Sequence, residues 1–200
     1  MKLSLPTLLC LLAVLTASLA SAADLPAKTK FKDGQGHEAF SLKLKDDGAK
    51  LVDASGQELA RFKWKGDALK VSGPDDTVLA YITGTPDKLK VKDATREVEL
   101  FTLKRRPDGG LKLTDGGDVL LYELEVKDDG IKLQDARNRE VARVRVRDGK
   151  VSLRNPDDET LYSTKAPVSA AAAACLAFER MSLPLRVALL YRASQPARTP

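Results

Sequence analysis

The chain is poor in the residues that most often announce chemistry. Its 200 residues include two cysteines and one histidine. Cys10 falls in an apolar leader, so the rest of the chain carries Cys175 alone and cannot form an internal disulfide. An exported domain without that staple needs a real apolar core. His37 stands by itself in the polar stretch Gly34-Gln35-Gly36-His37, which reads as a solvated loop. No His/Cys spacing offers a zinc site. Cys175 sits in an alanine run and is expected to be buried, too far from His37 for a thiol–imidazole pair. These absences point to a non-enzymatic protein with no cofactor and no metal.

Long apolar runs are also missing beyond the leader. The stretch 168–178 is uncharged but spans only eleven residues, and Glu179, Arg180 and Arg186 interrupt the chain beyond it. A membrane helix needs about 20 apolar residues, so no transmembrane span is expected after the leader. An excess of one charge is lacking as well. Beyond residue 22 the chain has 32 basic against 28 acidic side chains, interleaved in sign. That balance reads as a solvated surface and argues against a nucleic-acid partner.

The leader itself has the form of a secretory signal peptide. Lys2 precedes an almost wholly apolar Leu3–Ala17, and Ala20-Ser21-Ala22 supplies small residues for cleavage. Residues 1–22 are therefore expected to be removed near Ala22, placing the protein in the periplasm or outside the cell. Leu8-Leu9-Cys10 is a poor lipidation signal.

What the chain does have is a repeat. Leu51, Val71, Val91, Leu113, Leu133 and Leu153 recur at spacings of 20, 20, 22, 20 and 20 residues. Each unit carries two apolar pairs with period two, such as Leu42/Leu44 with Ala49/Leu51, Phe62/Trp64 with Leu69/Val71, and Val144/Val146 with Val151/Leu153. Alternation of that kind marks strands with one buried face, and it places Trp64 in the core phase of Phe62. Lys45-Asp46-Asp47-Gly48, Lys127-Asp128-Asp129-Gly130 and Arg147-Asp148-Gly149-Lys150 fit hairpin turns, where Asp and Gly tolerate positive φ. Gly84 breaks its apolar pair and reads as a bend or bulge. The longer turn Arg105–Gly110 accounts for the 22-residue spacing.

Six units of two strands predict twelve antiparallel strands over residues 40–164. Residues 23–39 form a polar lead-in, either a strand or a mobile arm. Residues 165–193 form a helical segment, with one helix over Val168–Phe178 and a second ending near Ala193, and 194–200 a disordered tail. Closing a twelve-stranded sheet removes its edges but leaves a lumen too wide for its own side chains to fill. The alanine-rich helix is thin enough to act as the plug, whereas large leucines are expected to be excluded. A parallel β-solenoid with 20-residue rungs is the rival architecture, and the tight Asp-Gly turns count against it.

Strands of this number and order, followed by the apolar helix Val168–Phe178, resemble the tubby-like barrel superfamily of Tubby C-terminal domains, phospholipid scramblases and LURP-one-related proteins. The resemblance covers about residues 40–193 and implies a barrel enclosing its C-terminal helix. It also implies phosphoinositide binding by basic side chains, as in Tubby members, although no ligand residue of that family matches a position here.

Two function classes emerge. In the first, Lys43, Lys45, Lys63 and Lys65 with Arg143, Arg145 and Arg147 form outward basic ladders that bind an anionic surface, lipid head groups or glycan. In the second, the acid pairs Asp46-Asp47, Asp75-Asp76, Asp128-Asp129 and Asp157-Asp158 build a hydrolase site at a barrel end; none has a calcium-loop pattern, and turn chemistry explains their recurrence. A scaffold or adhesion role goes with the solenoid. The plug itself generates a prediction: Ala172→Arg or Ala173→Arg buries an unpaired charge and prevents folding. Thermal unfolding followed by circular dichroism checks it, and a near-normal midpoint refutes the plug.

Overall fold

The computed structural model describes residues 25–85 and 87–196. The expected signal peptide, with Cys10 and the cleavage point near Ala22, lies outside the described residues, as do positions 197–200 of the expected tail.

The period-two alternation does produce strands, all paired antiparallel in one closed barrel. There are fourteen, not twelve: β1 (Lys28–Lys32), β2 (Glu38–Lys45), β3 (Gly48–Asp53), β4 (Glu58–Lys65), β5 (Ala68–Ser72), β6 (Val78–Thr85), β7 (Lys88–Lys92), β8 (Glu99–Arg105), β9 (Leu111–Asp115), β10 (Leu120–Lys127), β11 (Gly130–Asp135), β12 (Glu140–Arg147), β13 (Lys150–Arg154) and β14 (Thr160–Thr164). Each strand pairs with its neighbours in sequence, and β1 closes the ring by lying between β2 and β14. Antiparallel pairing throughout rules out the solenoid.

The two uncounted strands have separate causes. β14 continues the repeat beyond Leu153 as half a unit. β1 lies in the polar lead-in, where Lys28, Lys30 and Lys32 mask the pattern. Its inward residues are nonetheless Thr29 and Phe31, 1% exposed each. Phe31 lies twenty residues before Leu51 and stacks on Phe40, ring centroids 4.8 Å apart. It is the anchor of a further half unit. The 22-residue spacing also has two sources. The turn after β7 closes from Asp93 N–H to the Val98 carbonyl, one residue wider than the Asp53–Gln57 turn, and the β8–β9 turn adds another.

The inward residues, among them Leu42, Leu51, Phe62, Val71, Ile82, Leu113, Leu124 and Val144, are fully buried and belong to a single core with the C-terminal segment. That segment folds as α1 (Ala170–Ala174), a 3-10 turn (Cys175–Ala177) and α2 (Leu183–Ala193). Ser169 caps α1, its Oγ accepting from the Ala172 N–H at 3.2 Å. The uninterrupted helix expected over Val168–Phe178 is thus two short pieces. α1 packs against β11, β12 and β13, whereas α2 packs against β4, β5 and β6. β12 and β5 are seven strands apart in a ring of fourteen, so the helices lean on opposite walls and meet each other between them. The expectation that only alanines fit inside is overturned: Leu189 and Leu190 are fully buried and Tyr191 nearly so. A wider ring has room for a helical pair, with small side chains on α1 and larger ones on α2. Among the described residues no helix is long and apolar enough to cross a membrane.

The turns sort into two rims. Intra-unit turns such as Asp46–Asp47 gather at one, inter-unit turns such as Asp53–Gln57 at the other. Asp148 (φ 50°) and Gly149 (φ 70°) form the left-handed pair expected of a tight hairpin. Gly48 and Gly130 do something else. A Cβ on Gly48 would stand 1.9 Å from the Phe62 carbonyl oxygen, and one on Gly130 2.0 Å from that of Val144. These glycines permit close approach of the next strand. Gly84 is of the same kind: its strand keeps register from Tyr81 to Thr85, so no bulge forms there. Its carbonyl instead accepts from Arg192 Nη2 at 2.7 Å.

A substitution at Gly48 tests this packing. Gly48→Ala is expected to cost about 1–3 kcal/mol, the range for overpacking a tight site, whereas Gly56→Ala, with open space around its Cβ position, is expected to suffer only from its left-handed φ. Urea unfolding of both variants checks the order.

Candidate anion-binding surface

Strand alternation that sends Phe31 inward sends Lys28, Lys30 and Lys32 outward, at intervals of about 6.6–6.8 Å along β1. The neighbouring strand on the other side of the seam is β14. Elsewhere around the ring adjacent strands hold four to six residue pairs in register, but β1 and β14 share one, Lys32 with Ser163. The strands splay, and a groove of about 700 Å³ runs the length of the seam. Lys28, Lys30, Lys32, Lys150 and Lys165 line it, with Pro26, Ala166 and Pro167 forming its apolar stretch. At the inter-unit rim Gly34 closes it: a Cβ there would meet the Thr160 carbonyl oxygen at 2.5 Å.

The groove is incompletely neutralised. Glu38 pairs with Lys30 at 2.7 Å and Lys28 at 3.2 Å. The Lys30 hydrogen bond foremost, helped by Lys28, holds the Glu38 carboxyl down at about 2, and Glu38 in turn raises Lys30. Asp33 spends its Oδ1 on the turn, accepting from the Gln35 and His37 N–H groups at 3.0 and 2.9 Å. Lys32, Lys150 and Lys165 have no carboxylate within 4 Å among the described residues.

The predicted basic ladders flank this groove without meeting. Lys43 and Lys45 lie on β2, Lys63 and Lys65 on β4, and Arg143, Arg145 and Arg147 on β12; in the ring β13, β14 and β1 separate β12 from β2. Lys43 stands directly beside Lys28 in register. Several ladder cations are already occupied. Lys63 pairs with Asp47 at 3.3 Å, Arg143 with Glu140 at 3.0 Å, Arg145 with Asp158 at 3.1 Å and Asp129 at 3.6 Å, and Arg147 with Asp148 at 3.5 Å. Lys43, Lys45 and Lys65 have no such partner among the described residues.

The acid pairs that invited a hydrolase reading stay apart. Asp46-Asp47 and Asp128-Asp129 lie at one rim, Asp75-Asp76 and Asp157-Asp158 at the other, and all eight are exposed. Asp75 accepts from Thr77, Asp76 pairs with Arg61, and Asp158 pairs with Arg154 at 3.0 Å. Among the described residues no three His, Cys, Asp or Glu side chains converge on a metal-sized site. His37 is exposed, its Nδ1 3.7 Å from Asp33. Cys175 is enclosed, and burial pushes its thiol up to about 12, so no thiolate forms near neutral pH. Trp64 is half-buried at the intra-unit rim, packed on Tyr191 with ring centroids 6.4 Å apart and the Arg192 guanidinium 5.5 Å from its ring centre.

The seam lysines elude the repeat pattern because Phe31, the anchor of their strand, stands alone among polar residues. A signal exists all the same: Lys30, Asp33 and Glu38 stand at −1, +2 and +7 from Phe31, as Lys50, Asp53 and Glu58 do from Leu51 and Lys132, Asp135 and Glu140 from Leu133. Each Lys–Glu pair is an outer-face ion pair across a hairpin: 2.7 Å at Lys30–Glu38, 2.8 Å at Lys50–Glu58 and 3.9 Å at Lys132–Glu140. Each Asp is the acceptor that shapes the turn.

No protein-family model matches the chain, and no curated protein matches its sequence. Among solved structures, a protein from Arabidopsis thaliana is similar at 16% identity over 76% of this chain and 89% of that one, with a TM-score of 0.43. A likeness so distant carries no argument about function.

The Glu38 pair makes a prediction about pH. A carboxyl held down to about 2 stabilises the fold above its unfolded value near 4.5, and the contribution is lost as pH falls toward 2. Glu38→Gln is therefore expected to be less stable than wild type at pH 7, by about 1 kcal/mol or less. The two should converge near pH 2, as read by denaturant unfolding at both values.

Proposed function

We propose that this protein is a non-enzymatic binding module, exported after cleavage near Ala22, that recognises an anionic surface such as lipid head groups or glycan. The observation that carries this reading is the seam groove, where five lysines face Asp33 and the neighbouring Glu38 and leave a local excess of three positive charges. Lys43, Lys45 and Lys65 extend the basic face on one side, whereas Arg143, Arg145 and Arg147 on the other are each held by a carboxylate and add less to it. An elongated surface of this kind suits a polyanion better than a single small ion. We further propose membership of the tubby-like barrel superfamily. The order of a closed antiparallel barrel followed by a buried C-terminal helical segment supports it; fourteen strands where the resemblance had twelve count against it.

Each surface lysine near an anionic membrane contributes about 1 kcal/mol. The triple variant Lys32→Ala, Lys150→Ala and Lys165→Ala is thus expected to bind phosphatidylglycerol vesicles or a sulfated glycan array about a hundredfold more weakly, with wild-type binding falling as salt rises. Comparison of the vesicle and glycan arms identifies the source of the anion. Absence of wild-type binding to either, or an unchanged triple variant, refutes the proposal.

A further inference from the structure

The helical pair opens a second cavity, at the inter-unit rim and distinct from the seam groove. Chain leaving the 3-10 turn passes Phe178 and Glu179 at this rim before α2 returns inward. The space left between that crossing and the barrel wall is a cavity of about 430 Å³, within the range of small-ligand sites. Its walls combine apolar and aromatic side chains, Leu161, Leu176, Tyr122 and Tyr162 among them, with a nearly equal share of polar surface. Tyr122 is braced by stacking on Phe178, centroids 5.5 Å apart.

Two charged side chains line this cavity, Glu179 and Arg186. Opposite charges sharing one small opening ordinarily pair. These two do not: neither has an ion-pair partner within 4 Å among the described residues. Arg186 Nη1 donates to the Leu176 carbonyl at 2.8 Å, satisfying the end of the 3-10 turn and aiming the guanidinium. Its Nε is buried without a hydrogen-bond partner. The buried Nε is closed to a ligand, so the side of the guanidinium open to the cavity is Nη2, which is neither buried nor hydrogen-bonded, and a carboxylate is the acceptor whose charge and geometry suit a guanidinium. Glu179 is exposed and carries the opposite charge. It lies near enough to Tyr122 that, after burial itself, its carboxylate helps raise the phenol's pKa.

We propose that this cavity binds a small zwitterion of the α-amino-acid type, its carboxylate on Arg186, its ammonium toward Glu179 and its apolar side chain against Leu161 and Leu176. The charge arrangement selects against the two simpler ligand classes. An apolar carboxylate satisfies Arg186 but meets Glu179 as a like charge, and an amine satisfies Glu179 but meets Arg186 as one.

Titration calorimetry on the full chain tests this with four probes: L-phenylalanine, L-leucine, 3-phenylpropionate and phenethylamine. Saturable binding of at least one amino acid is expected, with 3-phenylpropionate and phenethylamine each at least tenfold weaker than phenylalanine. Glu179→Gln, an exposed substitution that leaves the packing intact, is expected to weaken the amino acids about tenfold and to erase the disadvantage of 3-phenylpropionate. Arg186→Lys is expected to lose about tenfold; should it fail to fold, the analogue series and Glu179→Gln still decide. No saturable binding of either amino acid, equal binding of phenylalanine and 3-phenylpropionate, or an unchanged Glu179→Gln overturns the proposal. None of these outcomes depends on the seam lysines.

Discussion

Closing a ring of fourteen strands creates an interior that the strands' own side chains cannot fill, and packing of the C-terminal helices into that interior is the interaction on which everything else rests. α1 leans on β11–β13 and α2 on the opposite wall at β4–β6. Between them they turn two facing half-cores into one. Burying a single large apolar side chain contributes roughly 1.5–3 kcal/mol, and Leu176, Phe178, Val187, Leu189, Leu190 and Tyr191 are all buried there. Without them the inward Leu42, Phe62, Ile82 and Leu124 would face an empty space, which dense protein interiors do not tolerate. The same division of labour explains the compositional split: alanines where α1 runs close to its wall, larger residues where α2 has room.

Closure has a weak point, and the basic surface arises from it. The seam between β1 and β14 is the one place where the ladder shrinks to a single pair. Lysine is a residue that natural sheets place on exposed edges to discourage further pairing, and β1 presents three of them outward. An edge-protecting pattern and the proposed anion-binding groove are therefore built from the same atoms. Glu38 restrains Lys28 and Lys30, while Lys32, Lys150 and Lys165 remain available, which distinguishes the groove from ladders such as Arg145, already enclosed by Asp129 and Asp158. The second cavity is also a product of closure: it exists because the chain must cross between α1 and α2 at the inter-unit rim, carrying Glu179 with it.

Much of this is legible in the residues. Period-two alternation from Leu42 to Leu153 marks the strands and most of their inward faces, although Val126 and Val146, in phase with Leu124 and Val144, end exposed, and the alanine-rich run within Val168–Phe178 marks a helical segment. The paired acids belong to turns, as their composition indicates, where they accept hydrogen bonds from Thr77 or pair with Lys63 and Arg61. Features whose local pattern is ambiguous stay hidden. Phe31 is a lone large apolar residue among lysines, so the apolar pattern misses it, and only the flanking Lys30, Asp33 and Glu38 mark its place in the repeat. Gly48 and Gly130 look like turn glycines, yet their need is for proximity to a carbonyl on the next hairpin, which no local window contains.

The repeating unit is a property of the chain alone, because the hydrophobic period and the Asp- and Gly-bearing turns are contained within twenty residues. So is the small-residue helical segment after it. The number of strands in the ring is decided in three dimensions, since it depends on whether β1 reaches β14 across more than a hundred residues of chain. The same holds for the two candidate sites. Lys32 and Lys150 come to line one groove, and Tyr122 and Arg186 one cavity, by closure of the barrel and return of its tail, and no periodicity in the chain encodes a juxtaposition made only when its ends meet.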